Sequence, residues 1–391
     1  MQKIKTVFDL WNGYIKWVIF GVEENKTSIL VKELVKTKWI RKWRVLDPDA
    51  LSQSMSDAIK TFNNKLGGDF IDDIYLGISH PELAIARFAE NMRIMGDKVT
   101  HDDVNHLMKV VSEISEKANY ETLKINPVYW IVDDEIKTSD PLTMVGKKLE
   151  LVVDVLYVPK HFYQSIIDLA NTLQLNILDI VPNILWASEL LLDYDAKDLG
   201  TLLIDIGNNQ TTYAVYENGY PIYYGVLPMG WEDVTKDISI GMQIDMKEAE
   251  HIKVDFGMLT AGVEAQKDDQ LDVKFLEEII SARYLEIFEK INDILIELGV
   301  DGRLPWGVML MWGGARMRWV EALAKDTFKL ATHFAKNNQL HVGELWNHLQ
   351  FLNTMWLYVY SEKYSDHANR FKLNLSFGRV KDIWKFLKEV F

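Results

Sequence analysis

The chain has 391 residues, 48% hydrophobic and 26% charged, with a formal net charge of −14. That length allows two or more packed domains, and the acidic balance argues against a nucleic-acid partner, since neutralising phosphates needs a basic face. With no cysteine there are no disulfides or thiolate metal sites, a usage that suits the cytoplasm. No apolar run is long enough to cross a bilayer. The opening Met-Gln-Lys-Ile-Lys leads straight into a strand and reads as neither a signal nor a transit peptide. The histidines show no metal-ligand spacing; His101 and His106 read as the polar surface of a helix.

In chain order, residues 1–45 read as strands joined by turns. Within them, residues 6–21 hold an apolar strand reaching Asp9, a tight turn at Trp11-Asn12-Gly13, and a second apolar strand. Residues 47–65 form a capped helix with Leu51, Met55, Ile59 and Phe62 on one face. Residues 74–79 are a strand. Residues 80–160 change character, with strands around a helix opened by Thr100 and first-turn acids. Helices follow at 160–173 and up to residue 192. Residues 202–219 then repeat the first device: a strand reaching Asp205, the turn Gly207-Asn208-Asn209-Gln210, a second strand, and Asn218-Gly219. Helices cover 234–244, 247–256 and 274–299. A buried strand at 308–311 runs into Gly313-Gly314-Ala315 and a helix at 319–329.

The tail at 379–391 sets Val380, Ile383, Trp384, Leu387, Val390 and Phe391 on one helical face, with Lys381, Lys385 and Lys388 off it. Arg379 and three lysines against Asp382 and Glu389 make it locally about +2. A basic amphipathic helix carrying aromatic residues suits a bilayer interface.

A single acid-turn hairpin is usually an ordinary β-hairpin. Two copies in corresponding halves, followed by a Gly-Gly loop, point instead to an internal duplication. The expected fold is α/β, an actin-like two-lobed ATPase fold in which turn amides cradle phosphates and the acids face a metal ion.

Three further segments narrow the resemblance: Val-Leu-Pro-Met-Gly-Trp-Glu-Asp-Val-Thr-Lys-Asp-Ile at 226–238, Glu-Ala-Glu-His-Ile-Lys at 248–253, and Thr-Ser-Asp-Pro-Leu-Thr-Met-Val-Gly-Lys-Lys-Leu at 138–149. Over nearly its whole length the chain resembles FtsA, the bacterial actin homologue that tethers the division ring to the membrane. The resemblance implies a first lobe at 1–79 and 161–196, with an inserted FtsA-type subdomain at 80–160. The second lobe would take 197–228 and 301–360, with a small outer subdomain at 229–300. A linker at 361–378 and the amphipathic helix at 379–391 would complete the chain.

By the same resemblance, Asp9 and Asp205 flank Mg2+, while Trp11, Asn12, Gly13 and Gly207, Asn208, Asn209, Gln210 hold the phosphates of ATP. Gly313, Gly314 and Ala315 pass beneath the adenosine, and Glu250 and Lys253 reach the ribose. No general base stands out, so at most a slow ATPase is expected, with ATP favouring a polymer-competent state. The implied partners are other copies of the chain in a filament, an anionic membrane, and the C-terminal peptide of FtsZ. That peptide would meet the 230–300 region, where Arg283, Glu286 and Lys290 share a helical face. The place would be the cytoplasmic face of the membrane at the septum. The alternatives are a PilM-like type IV pilus assembly protein and a degenerate, nucleotide-free scaffold of the same fold.

The departures from the family pattern concentrate on tryptophan. Trp11, Trp231, Trp312, Trp319 and Trp356 stand at glycine places, and Trp39 and Trp43 sit in a Lys-Trp-Ile-Arg-Lys-Trp segment where Lys-Gly repeats are usual. Indole is the poorest substitute for a residue that serves by lacking a side chain. One cause would account for all of them: UGA codons that the organism reads as Gly, rendered here as Trp. Sequencing the gene should find UGA at codons 11, 231, 312 and 319. UGG at those four would leave a nucleotide-free scaffold as the better reading.

Overall fold

The computed structural model describes residues 3–11, 14–23, 26–36, 40–41, 44–45, 48–65, 73–257, 272–311, 314–317, 319–335, 354, 357–358 and 361. The chain divides into two compact units. One is built from residues up to Val181 with the described residues from Leu357 onward, the other from Pro182–Trp356.

The first unit begins with strands β1 (Lys3–Trp11), β2 (Tyr14–Glu23) and β3 (Lys26–Lys36), the short pair β4 (Ile40–Arg41) and β5 (Arg44–Val45), helix α1 (Pro48–Lys65) and β6 (Asp73–Ile78). Valine, isoleucine and phenylalanine dominate the strand interiors, where branched and aromatic side chains fit a pleated, half-buried surface. α1 buries Met55 and Phe62, two of the four residues expected on its apolar face.

Next come β7 (Ala84–Arg93), α2 (His101–Ile114), β8 (Tyr120–Val132), β9 (Ile136–Thr138) and β10 (Lys148–Pro159), which make a separate sheet in the order β7-β10-β8-β9. α2 starts with the capping box that Thr100 announced: Thr100 N–H donates to Asp103 Oδ2 at 2.8 Å, and Asp103 N–H to Thr100 Oγ1 at 3.3 Å. His101 and His106 are exposed on it, as the spacing implied. Arg87 on β7 grips Asp154, its cross-strand neighbour on β10, through two bonds of 2.8 Å. Helix α3 (Lys160–Thr172) and β11 (Asn176–Pro182) then return to the first sheet, whose order is β11-β6-β1-β2-β3. The late residues join the same unit: Lys5 Nζ donates to Ser361 O at 2.9 Å, and Phe20 stacks on Tyr358.

The second unit comprises α4 (Asn183–Leu191), α5 (Tyr194–Leu199), β12 (Thr201–Ile206), β13 (Thr211–Glu217), β14 (Tyr220–Leu227), α6 (Trp231–Met242), α7 (Met246–Ile252), α8 (Val273–Glu297), β15 (Gly307–Leu310), α9 (Val320–Phe328) and β16 (Thr332–Phe334). Its sheet runs β14-β13-β12-β15-β16. Each unit thus has a central acid-bearing strand with an antiparallel hairpin partner on one side and a parallel strand on the other. The duplication read from two hairpins extends to the whole five-stranded order.

α8 buries Leu276, Ile280, Tyr284, Ile287, Phe288, Ile291 and Leu295, a stripe at helical spacing that meets α6 and α9. Gly307 has φ +93°, and a Cβ there would sit 2.0 Å from Ala331 O, so only glycine lets β15 begin where it does. Phe288, fully buried beside Tyr284 and Phe328, should cost about 3–5 kcal/mol on replacement by alanine. Denaturant unfolding would measure it as a lower midpoint at unchanged slope.

Candidate functional site

The turn after β12 is closed by Gly207 N–H donating to Gln210 O at 2.9 Å. α6 begins directly on it. Trp231 N–H donates to Gly207 O at 2.9 Å and Glu232 N–H to Asn208 O at 2.8 Å, while Thr211 Oγ1 donates to Met229 O at 2.9 Å. This approach is possible because residue 230 is glycine: a Cβ there would lie 2.5 Å from Gly207 O and 2.8 Å from Gln210 N. Asn208 Nδ2 donates to Asn209 Oδ1 at 2.6 Å, and Asn209 Nδ2 donates to Glu232. None of residues 207–210 has a left-handed backbone, so the asparagines serve through their side chains, bracing the turn against the helix.

Behind the turn lies a tight polar cluster. The half-buried indole of Trp231 donates from Nε1 to Glu250 Oε1 at 2.9 Å, and Lys253 Nζ stands 3.7 Å above its ring. Lys253 is fully buried and binds Glu250 Oε2 at 2.8 Å, Thr235 Oγ1 at 2.5 Å and Trp231 O at 3.1 Å. Thr235 Oγ1 also reaches Glu250 Oε2 at 2.6 Å. On its other side the indole meets the Gly314 backbone: a Cβ on Gly314 would be 3.3 Å from Trp231 Cε3 and 2.8 Å from Ile206 O.

Burial pulls the Lys253 ammonium down from its ordinary 10.5 to about 8, against the opposing bond from Glu250. Burial alone would raise the Glu250 carboxyl, but hydrogen bonds from Lys253, Thr235 and Trp231 outweigh it and hold the group below its usual range.

Glu250, Lys253, Gly314 and Ala315, all expected around the nucleoside, are therefore brought together in the second unit. Gly314 and Ala315 lie in a 3-10 turn, Gly314–Arg316, anchored by Tyr284 Oη donating to Gly314 O. What stands among them is the chain's own indole. Both oxygens of Glu250 and the ammonium of Lys253 are engaged internally, so the side chains present do not fit a nucleoside.

Asp205 sits near the end of β12, in register with Thr212. Asp9 lies buried on β1 in the other unit, where its cross-strand neighbour Lys16 brings Nζ to 3.8 Å. Trp11 ends β1 opposite Tyr14. Asn12, Gly13, Gly313 and the tail residues Val380, Ile383, Trp384, Leu387, Val390 and Phe391 lie outside the described residues. Among the described residues no group of three or more His, Asp or Glu side chains is placed to hold a metal.

Arg283, Glu286 and Lys290 do share a face of α8. Arg283 forks onto Asp237 of α6 at 2.6 and 3.0 Å and onto Glu286 at 2.5 Å, and Glu286 meets Lys290 at 3.8 Å. Its guanidinium is thus committed to joining α8 to α6. Sequence reasoning passed over Lys16 and Thr235. Lys16 was within reach of it, since Asp9 and Lys16 are equidistant from the 12–13 turn and a hairpin register pairs them.

Comparison with known proteins bears on all of this. Residues 202–352 match the family model for cell division protein FtsA, and residues 82–157 the model for the SHS2 domain inserted in FtsA. Cell division protein FtsA of Bacillus subtilis is 27% identical over 355 residues, covering 86% of this chain and 79% of the relative. That of Borreliella burgdorferi is 23% identical over 376 residues, 91% of each. Among solved structures, the PilM–PilN type IV pilus biogenesis complex aligns with TM-score 0.58 at 13% identity, covering 91% and 98% of the two chains. MreB5 of Spiroplasma citri bound to AMPPNP aligns with TM-score 0.51 at 13% identity, covering 93% and 97%. At such identities the structural likenesses establish the actin-like fold and nothing finer.

Because the folded state keeps Lys253 near 8 while the unfolded chain titrates at about 10.5, the unfolded state holds more protons between those values. Stability of the second unit should therefore rise with pH across that window. Melting curves at graded pH would show the rise, and Lys253→Met should flatten it.

Proposed function

The chain belongs to the FtsA family of actin-like cell-division proteins, and from that premise we propose that it is a septal adaptor, joining FtsZ filaments to the cytoplasmic membrane. The observation that carries this reading is the family match across both the inserted subdomain and the second unit. PilM shares the fold, but that inserted-subdomain match favours the division role.

In this reading the tail at 379–391 is the membrane contact. No helix among the described residues is long and apolar enough to cross a membrane; the proposed contact is a surface-lying segment whose aromatic and aliphatic face enters the interface. The segment 229–300 is the outer subdomain that receives the FtsZ C-terminal peptide, and copies of the chain assemble side by side as actin-like proteins do. Lys290, about half exposed, is the cation on that α8 face best placed to meet a peptide carboxylate, since Arg283 is held by Asp237.

ATP with Mg2+ is what the family resemblance assigns to Asp9, Asp205 and the two turns. A specific observation favours the second reading, a scaffold that works without nucleotide: Trp231 stands against Glu250, Lys253 and Gly314, residues that the resemblance assigns to the nucleoside. Assembly is then driven by protein contacts alone.

Pelleting with anionic vesicles tests the adaptor role. Each apolar side chain buried in the interface contributes about 1.5–3 kcal/mol, so Trp384→Glu with Phe391→Glu should lower partitioning by more than about tenfold. Unchanged pelleting, or unchanged pelleting after removal of 379–391, would sink the membrane contact. For the partner, calorimetry with the FtsZ C-terminal peptide should show binding that Lys290→Ala weakens by about two- to fivefold, the size of a partly exposed charge pair. No heat at high peptide would remove FtsZ from the reading.

A further inference from the structure

The Trp231 ring packs against the apolar core of the second unit, yet charged groups also stand against it. An ordinary core packs aromatic rings among aliphatic side chains. Here one edge of the ring meets a carboxylate, Glu250, and a buried ammonium, Lys253, stands over the ring. Opposite comes bare backbone at Gly314, where any Cβ would collide with Ile206 O. A carboxylate at the edge, a cation over the ring and a glycine close by suit a flat heteroaromatic ring with an N–H donor.

The backbone does not require the indole. None of the described tryptophans has a left-handed backbone, and the close approach of α6 to the 207–210 turn depends on Gly230, not on residue 231. The backbone path at residue 231 is thus open to a smaller side chain.

We infer that, where residue 231 is tryptophan, its side chain fills the nucleoside place that the family resemblance implies in the second unit, and that removing that side chain alone opens the place. Without the indole, Glu250 Oε1 regains an acceptor position and the place keeps its cation. The family resemblance assigns the phosphates to Asp205 and the 207–210 turn, on which α6 begins. The inference rests on the family reading, which supplies the nucleotide and the residues expected around it.

The test uses the full chain as wild type, Trp231→Gly and Trp231→Ala, titrated with ATP–Mg2+ and, separately, with adenosine and with inorganic triphosphate. Alanine suits the first turn of α6, so it guards against a glycine variant that fails to fold. Both variants should bind ATP at least about tenfold more tightly than the wild type, which should show no saturation at about 1 mM. Adenosine should bind the variants but not the wild type, and free indole should compete with it by refilling the place. Wild-type binding as tight as the variants', or no binding by folded variants, would overturn the inference. If neither variant folds, hydrogen exchange on the wild type decides: ATP-dependent protection of α6 and α7 refutes an occupied place, and its absence upholds one. The septal role is read by vesicle pelleting, so the failure of either stays distinct from that of the other.

Discussion

The second unit is organised by a contact between two pieces of backbone. The carbonyls of Gly207 and Asn208, at the end of an acid-bearing strand, accept the first amides of α6 across the bare Cα of Gly230. Helix N-termini carry unsatisfied N–H groups, and here the turn satisfies two of them, so the strand end and the helix start become one rigid piece. Everything behind it inherits that position. Trp231 and Thr235 on α6 meet Glu250 and Lys253 because α6 cannot slide along the sheet, and α8 is then clamped to α6 by the Arg283–Asp237 fork.

Much of this was legible in the residue order. Period-two and helical spacing located most of the long elements, and Thr100 and its acids announced the start of α2. The repeated acid-turn hairpin disclosed the fold, because strand pairing is local there and its turn residues are distinctive. Less visible were α5, a six-residue helix with too few turns to show periodicity, and β16, three residues held by parallel pairing to β15. α6 begins three residues earlier than its apolar pattern suggests, since its start is set by the turn it docks on rather than by its own sequence.

The site divided along the same line. Residue types gave the acids and glycines, but not what they touch. The expected role of Glu250 and Lys253 came from resemblance, and nothing in their spacing showed that an indole stands against both. Arg283, Glu286 and Lys290 were correctly placed on one face. That Arg283 spends its fork on Asp237, 46 residues away in sequence, is a long-range fact that helical spacing does not contain.

The cross-strand pair in the first unit carries a consequence of its own. Asp9 is wholly buried, and Lys16 brings a positive charge to 3.8 Å of it. An anion in such a place would normally be a strong attractor for a divalent ion, since little water screens it. A lysine beside it opposes that field, since an opposite charge at this distance offsets part of it. The first acid-turn hairpin thus carries a charge pair of its own across its two strands.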